Sequence, residues 1–105
     1  NIIYQRRMAE MSTQIEAART LMFSTALWFD QNRGNNDLPY LQAKVNCSEA
    51  ATRVTQDLMT CFTGTAFARR LPLERYFRDA RAGLLMGIAN DVAYQNMIPH
   101  LFPGK

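Results

Sequence analysis

One histidine, two cysteines and nine carboxylates limit what chemistry this 105-residue chain can assemble. His100 lies between Pro99 and a Leu-Phe-Pro-Gly-Lys end, and reads as an exposed tail histidine rather than a general base. Cys47 and Cys61 are 14 positions apart. On one helix that places them roughly 21 Å apart, well beyond the roughly 7 Å between Cα atoms that a disulfide tolerates. Two isolated thiols suit a reducing, cytoplasmic setting, and one histidine with two distant cysteines gives no metal-ligand spacing. The turn Thr63-Gly64-Thr65 is the one place where backbone amides could face a ligand between helices, although by itself it reads as a plain connection. No glycine motif for cradling phosphate is present. The most distinctive stretch runs from Leu71 to Arg81. It starts a helix with Pro72 and alternates charge closely, with Glu74 and Arg78, and Arg75 and Asp79, four residues apart. On residues alone it is a surface-laced helix.

The elements that must position these residues are all helical. Met8, Met11, Ile15, Ala18, Met22, Thr25 and Phe29 alternate steps of three and four, predicting a long helix over 3–31 with one apolar seam. The six methionines fall mostly on such stripes and read as core. Off the seam, Glu16 precedes Arg19 by three, a weak surface pair. Gly34 can end this helix, Asp37 can cap the next, and Pro39 is tolerated in a first turn. A second long helix follows over 38–62, with Tyr40, Ala43, Cys47, Ala50, Val54, Leu58 and Cys61 on its stripe. The short connection makes the two antiparallel. A third helix is predicted over 73–86, with Leu73, Tyr76, Phe77, Ala80 and Leu84 on its apolar side and Gly87 ending it. Asn90 and Asp91 can cap a fourth over 92–98, which Pro99 stops. The fold predicted is an all-α up-down bundle of two long antiparallel helices and two shorter ones, occupying residues 1–105 as one domain.

Composition excludes several classes. An apolar share of 48% with 20% charged residues is enough to build a core, which argues against disorder. No apolar run approaches the roughly 18 residues of a membrane span. The net charge of +3 comes from ten scattered arginines and two lysines interleaved with acids, so no nucleic-acid stripe forms. A chain beginning at Asn1 rather than Met is expected to be a piece or a processed product.

The run Pro72-Leu73-Glu74-Arg75-Tyr76-Phe77-Arg78-Asp79-Ala80 resembles a Pro-Val-Glu-Arg-x-x-Arg-Asp-Ala-like run of the acyl-CoA dehydrogenase family, located in its C-terminal helical domain. Gln5 to Leu21, with Met8-Ala9-Glu10-Met11 and Glu16-Ala17-Ala18-Arg19, resembles an earlier helix of that domain, and Ala43-Lys44 followed by Ala50-Ala51 resembles the next. Residues 2–92 can be laid on the domain without gaps. The resemblance implies roughly the last quarter of an FAD flavoprotein that is usually a homotetramer. In it, this bundle would wall the flavin and acyl-CoA pocket and supply dimer or tetramer contacts, beside the remaining domains of the same chain.

The family's functional residues carry over position by position. Its flavin-contacting Gln falls on Thr60, and the Gly-Gly pair after it falls on Thr63 and Gly64, so only Gly64 matches. The Glu that removes the α-proton of the thioester in many members falls on Gly87, with Ile88 and Ala89 in place of the following Gly-Thr. Glycine cannot abstract a proton. Asp91 is an alternative base if the helix start is shifted. Otherwise the base lies upstream, outside this stretch, or the parent is a non-catalytic subunit or a flavin monooxygenase-like relative. A stand-alone helical interaction module with no cofactor is the rival from another class. The 105-residue piece alone is expected to be inactive, and its apolar seam is expected to drive self-association.

Overall fold

The structure is a computed structural model, and it describes residues 2–32, 36–61 and 72–104. These form four helices: α1 (Ile2–Asn32), α2 (Leu38–Cys61), α3 (Leu73–Ala82) and α4 (Asn90–Leu101). No strand occurs among the described residues. The molecule is elongated, with principal extents of 52 × 24 × 24 Å.

The three main interfaces all have α2 on one side, facing α1, α3 and α4 in turn. Contacts between the long helices fix their direction. Cys47 Sγ donates to the Ala18 carbonyl at 3.4 Å, and Arg53 Nε donates to Gln14 Oε1 at 3.1 Å. Rising numbers on α2 therefore meet falling numbers on α1, so the pair is antiparallel as predicted. The helices α3 and α4 both run against α2. Thr52 Oγ1 lies 3.4 Å from the Ala80 carbonyl, and Asn90 Nδ2 donates to Ser48 Oγ at 3.0 Å. Further along, Ala93 and Met97 pack with Leu41 and Val45. The two short helices are thus one broken leg lying along α2.

Burial on α2 is wider than the predicted stripe. Ala50, Val54 and Cys61 are buried as expected, but so are Leu41 and Val45, while Tyr40 is 48% exposed. The predicted stripe covers only one face of α2. A helix with partners on several sides buries more than one stripe. Leu41 and Val45 join the fully buried Ala93 and Met97, with Leu38 and Ile88 packed against them. On α1 the seam is only half covered. Met11 and Thr25 are buried, whereas Ile15 and Met22 remain about half exposed.

The helix ends depart from the prediction in instructive ways. Leu41 N–H bonds the Asp37 carbonyl, so α2 starts where expected, but the side-chain cap comes from Asn36, whose Oδ1 accepts the Leu38 N–H at 2.9 Å. Pro72 stands at the N-cap of α3. That helix ends at Ala82 rather than 86, and residues 83–89 form a turn. Asn90 and Asp91 are not caps. Ala89 is the N-cap residue of α4, without a side-chain bond, and Asn90 is drawn inside the helix by its buried contacts. Pro99 lies within α4, which runs on to Leu101, so His100 belongs to its last turn rather than to a tail. The predicted stop at Gly34 lies outside the described residues.

Candidate functional site

The features of α2, α3 and α4 converge on the turn 83–89. Gly87 sits there with φ +69°, a left-handed conformation that costs glycine little. A Cβ at this position would meet nothing within 4 Å. Gly87 and Ile88 line a surface depression of about 570 Å3, together with Asp37, Tyr40, Leu41, Asn96, Pro99 and His100. That volume is within the range of small-molecule sites. The wall is built from the start of α2, the turn and the end of α4. No cluster of three or more metal-ligating side chains occurs among the described residues.

The turn is anchored by a polar node that sequence reasoning missed. Lys44 Nζ donates to the carbonyls of Gly83 at 3.1 Å and Leu84 at 3.4 Å, and to Asn90 Oδ1. Ser48 Oγ donates to the Lys44 carbonyl at 2.7 Å and accepts from Asn90 Nδ2 at 3.0 Å. Asn90 is 8% exposed, yet its amide is bonded at both ends. The break near Gly87 is legible in the sequence, but nothing local shows that Lys44, some 40 residues earlier, reaches across to it.

Other predicted residues are scattered. Thr60 is exposed near the end of α2, where its Oγ1 donates to the Gln56 carbonyl at 3.0 Å. Thr63 and Gly64 lie outside the described residues. Asp91 is exposed in the first turn of α4, and does not line the depression. Its charge suits the positive end of that helix. On α3 the Glu74–Arg78 pair forms at 4.0 Å on the exposed face, whereas Arg75 lies over the Tyr76 ring at 5.8 Å instead of pairing with Asp79. On α1, Arg19 lies over Phe23 at 5.8 Å rather than pairing with Glu16. Cys47 and Cys61 are free thiols. Partial burial of Cys47 against α1 raises its pKa, which disfavours the thiolate a nucleophile needs.

A second surface feature runs between α1 and α2. Ile15, Ala18, Met22, Cys47, Ala51 and Val54 line an apolar groove. It continues towards Met8, Met11 and Leu58. Among the described residues, no helix is long and apolar enough to cross a membrane.

Comparison with known proteins decides the lineage. Residues 2–98 match the model of the acyl-CoA dehydrogenase C-terminal domain. This chain belongs to the acyl-CoA dehydrogenase family. It is 35% identical over 88 residues to the cyclohexane-1-carbonyl-CoA dehydrogenase of Geobacter metallireducens, a match covering 84% of this chain and 23% of that protein. It is 36% identical over 83 residues to the 3-sulfinopropanoyl-CoA desulfinase of Advenella mimigardefordensis, covering 79% of this chain and 20% of the relative. A solved chain from a study of the electron transferring flavoprotein of Acidaminococcus fermentans and flavin-based electron bifurcation superposes with a TM-score of 0.89 at 29% identity. That match covers 98% of this chain and 27% of the solved one. The chain thus spans about a fifth to a quarter of the length of these proteins.

Proposed function

We propose that this chain is the C-terminal helical domain, residues 1–105, of an acyl-CoA dehydrogenase-like FAD flavoprotein. In this reading it walls the acyl-CoA pocket and supplies contacts to the remaining domains and to other subunits of a homo-oligomer, a dimer or tetramer. The carrying observation is the family match over 2–98, which coincides with the helical domain that holds the depression at Gly87 and Ile88. The parent reaction we propose is α,β-dehydrogenation of an acyl-CoA thioester, in the cytoplasm. FAD, when bound, would supply the oxidant.

Thr60, exposed near the end of α2 with its hydroxyl on the Gln56 carbonyl, is proposed as a flavin contact together with Thr63 and Gly64. Gly87 offers no proton acceptor, so the base is proposed to come from outside the turn. Asp91, exposed and away from the depression, is the weaker candidate. The half-covered groove between α1 and α2 supports a role in packing against further structure. Exposed Ile98, Leu101 and Phe102 at the end of α4 support the same role.

A second reading has one observation in its favour. With glycine at the position of the usual base, the parent could be a non-catalytic subunit or a flavin monooxygenase-like relative. One experiment separates the two. The protein expressed from its complete gene is purified, its visible spectrum recorded, and acyl-CoA esters of increasing chain length added without oxygen. Bleaching of a flavin spectrum is the expected result. A flavin that no ester bleaches would favour the second reading. Absence of any flavin would overturn the flavoprotein reading and leave a non-catalytic subunit or a helical interaction module.

A further inference from the structure

The helices α3 and α4 lie in line along α2, and the ends that face each other across residues 83–89 have no side-chain cap of their own. At the end of α3, Gly83 supplies only its backbone N–H, to the Ala80 and Arg81 carbonyls. At the start of α4, Ala89 has no side chain that can cap. The last α3 carbonyls are met by backbone N–H groups of residues 83–86, and α2 supplies the side-chain bonds on both sides of the break. The three protons of one ammonium can serve three acceptors. Lys44 meets three: the Gly83 and Leu84 carbonyls at the start of the turn, just past α3, and the Asn90 side-chain oxygen at the start of α4.

The geometry leaves Asn90 one orientation. Ser48 Oγ gives its proton to the Lys44 carbonyl at 2.7 Å, so it presents a lone pair to Asn90 Nδ2. The amide oxygen must then point to Lys44. The Asn90 backbone N–H closes the turn on the Leu84 carbonyl at 3.0 Å, the same oxygen that Lys44 approaches. The two ends of the excursion are therefore tied at one point. Between them, Leu85, Met86 and Gly87 stand exposed, and only Ile88 is packed against the core.

We infer that Lys44 is a positioning residue. It holds the break between α3 and α4 in one conformation, and thereby sets where Gly87 and Ile88 stand as the wall of the ligand depression. The ligand part of this inference rests on the acyl-CoA reading above. A side chain on the middle helix thus shapes a pocket wall about 40 residues away in sequence.

The test uses the protein expressed from its complete gene, as wild type, Lys44→Met and Lys44→Arg. Hydrogen–deuterium exchange is followed by mass spectrometry in peptides covering 83–89 and, as a control, in peptides from α1. Acyl-CoA affinity is read from the flavin absorbance change on titration with butyryl-CoA and octanoyl-CoA. In Lys44→Met, exchange across 83–89 is expected to rise about tenfold, with α1 unchanged. Affinity is expected to fall about tenfold at unchanged flavin content. Lys44→Arg keeps the charge and is expected to recover most of both. Unchanged exchange across 83–89 in Lys44→Met overturns the proposal. So does an equal acceleration in α1, which would make Lys44 a general stability contact. Faster exchange with unchanged affinity overturns its ligand half. If wild type binds neither ester, the acyl-CoA reading fails, and the exchange comparison still decides whether Lys44 holds the turn.

Discussion

Replacing Asn90 with alanine removes an amide that is bonded at both ends and 8% exposed. The oxygen bonds the charged Lys44, a contact of the kind whose loss costs about 1.5–3 kcal/mol, and the nitrogen donates to Ser48, a neutral bond of about 0.5–1.5 kcal/mol. Two effects reduce the total. Lys44 is half-buried and keeps two carbonyl acceptors, so water recovers part of the first contact. Alanine also favours the helix over asparagine by about half a kcal/mol. The expected net loss is about 2 kcal/mol, which lowers the urea midpoint by about 1–2 M. The sharper measurement is a double-mutant cycle with Lys44→Met. The double variant should lose about 1.5 kcal/mol less than the sum of the singles, because each single change already breaks the shared contact. Singles that add to within about 0.5 kcal/mol would show that Lys44 and Asn90 do not act as a pair, and would refute the reasoning.

Three further outcomes are expected. Leu41→Ala should destabilise by about 2–5 kcal/mol through a cavity beside Ala93 and Met97, while Tyr40→Ala, one residue away and exposed, should cost less than about 1 kcal/mol. Chemical unfolding of both variants checks this, and equal losses would contradict the second buried stripe on α2. Gly87→Ala should cost about 1 kcal/mol from its positive φ alone, since no atom lies in the way, and lower the melting temperature by about 4–8 °C. The Tyr94 hydroxyl, 3.2 Å from both Glu49 oxygens, has its pKa raised by desolvation and then by the Glu49 charge and hydrogen bond, with Arg53 opposing. A raised phenol pKa means the folded state holds its proton longer than the unfolded chain. This contribution to stability is therefore full below pH about 10 and lost as pH rises through the folded pKa. Tyr94→Phe should flatten that alkaline decline in a pH series of melting temperatures.

The helices were legible because their periodicity and the Asp37-Leu38-Pro39 start are local signals. The direction of the α1–α2 pair followed from a short connection. What the sequence hid was tertiary. Leu41 and Val45 lie off the stripe read from spacing, because one stripe covers one face and α2 has partners on three sides. The end of α3 falls at Ala82 rather than 86 because the apolar pattern continues through Leu84 and Met86, where turn bonds such as Leu84 N–H to the Arg81 carbonyl replace the regular helical ladder. Asn90 reads as a cap by residue type, but its burial beside Lys44 and Ser48 outweighs that preference. The absence of a carboxylate at Gly87 was visible directly. The depression it lines could not be seen, because its walls come from the start of α2, the turn and the end of α4, distant in sequence.

The place of α2 between the other three helices has a consequence for how this sequence can change over time. A substitution on the outer side of α1 faces solvent or an eventual partner, and can drift with little internal penalty. Along α2 nearly every turn carries a residue answerable to a different neighbour: Cys47 to α1, Thr52 to α3, and Ser48, Leu41 and Val45 to α4. Tolerance should therefore be distributed by helix rather than by depth. Variation should collect on α1 and on the exposed face of α3, while α2 changes slowly and mostly in concert with whichever neighbour each position serves.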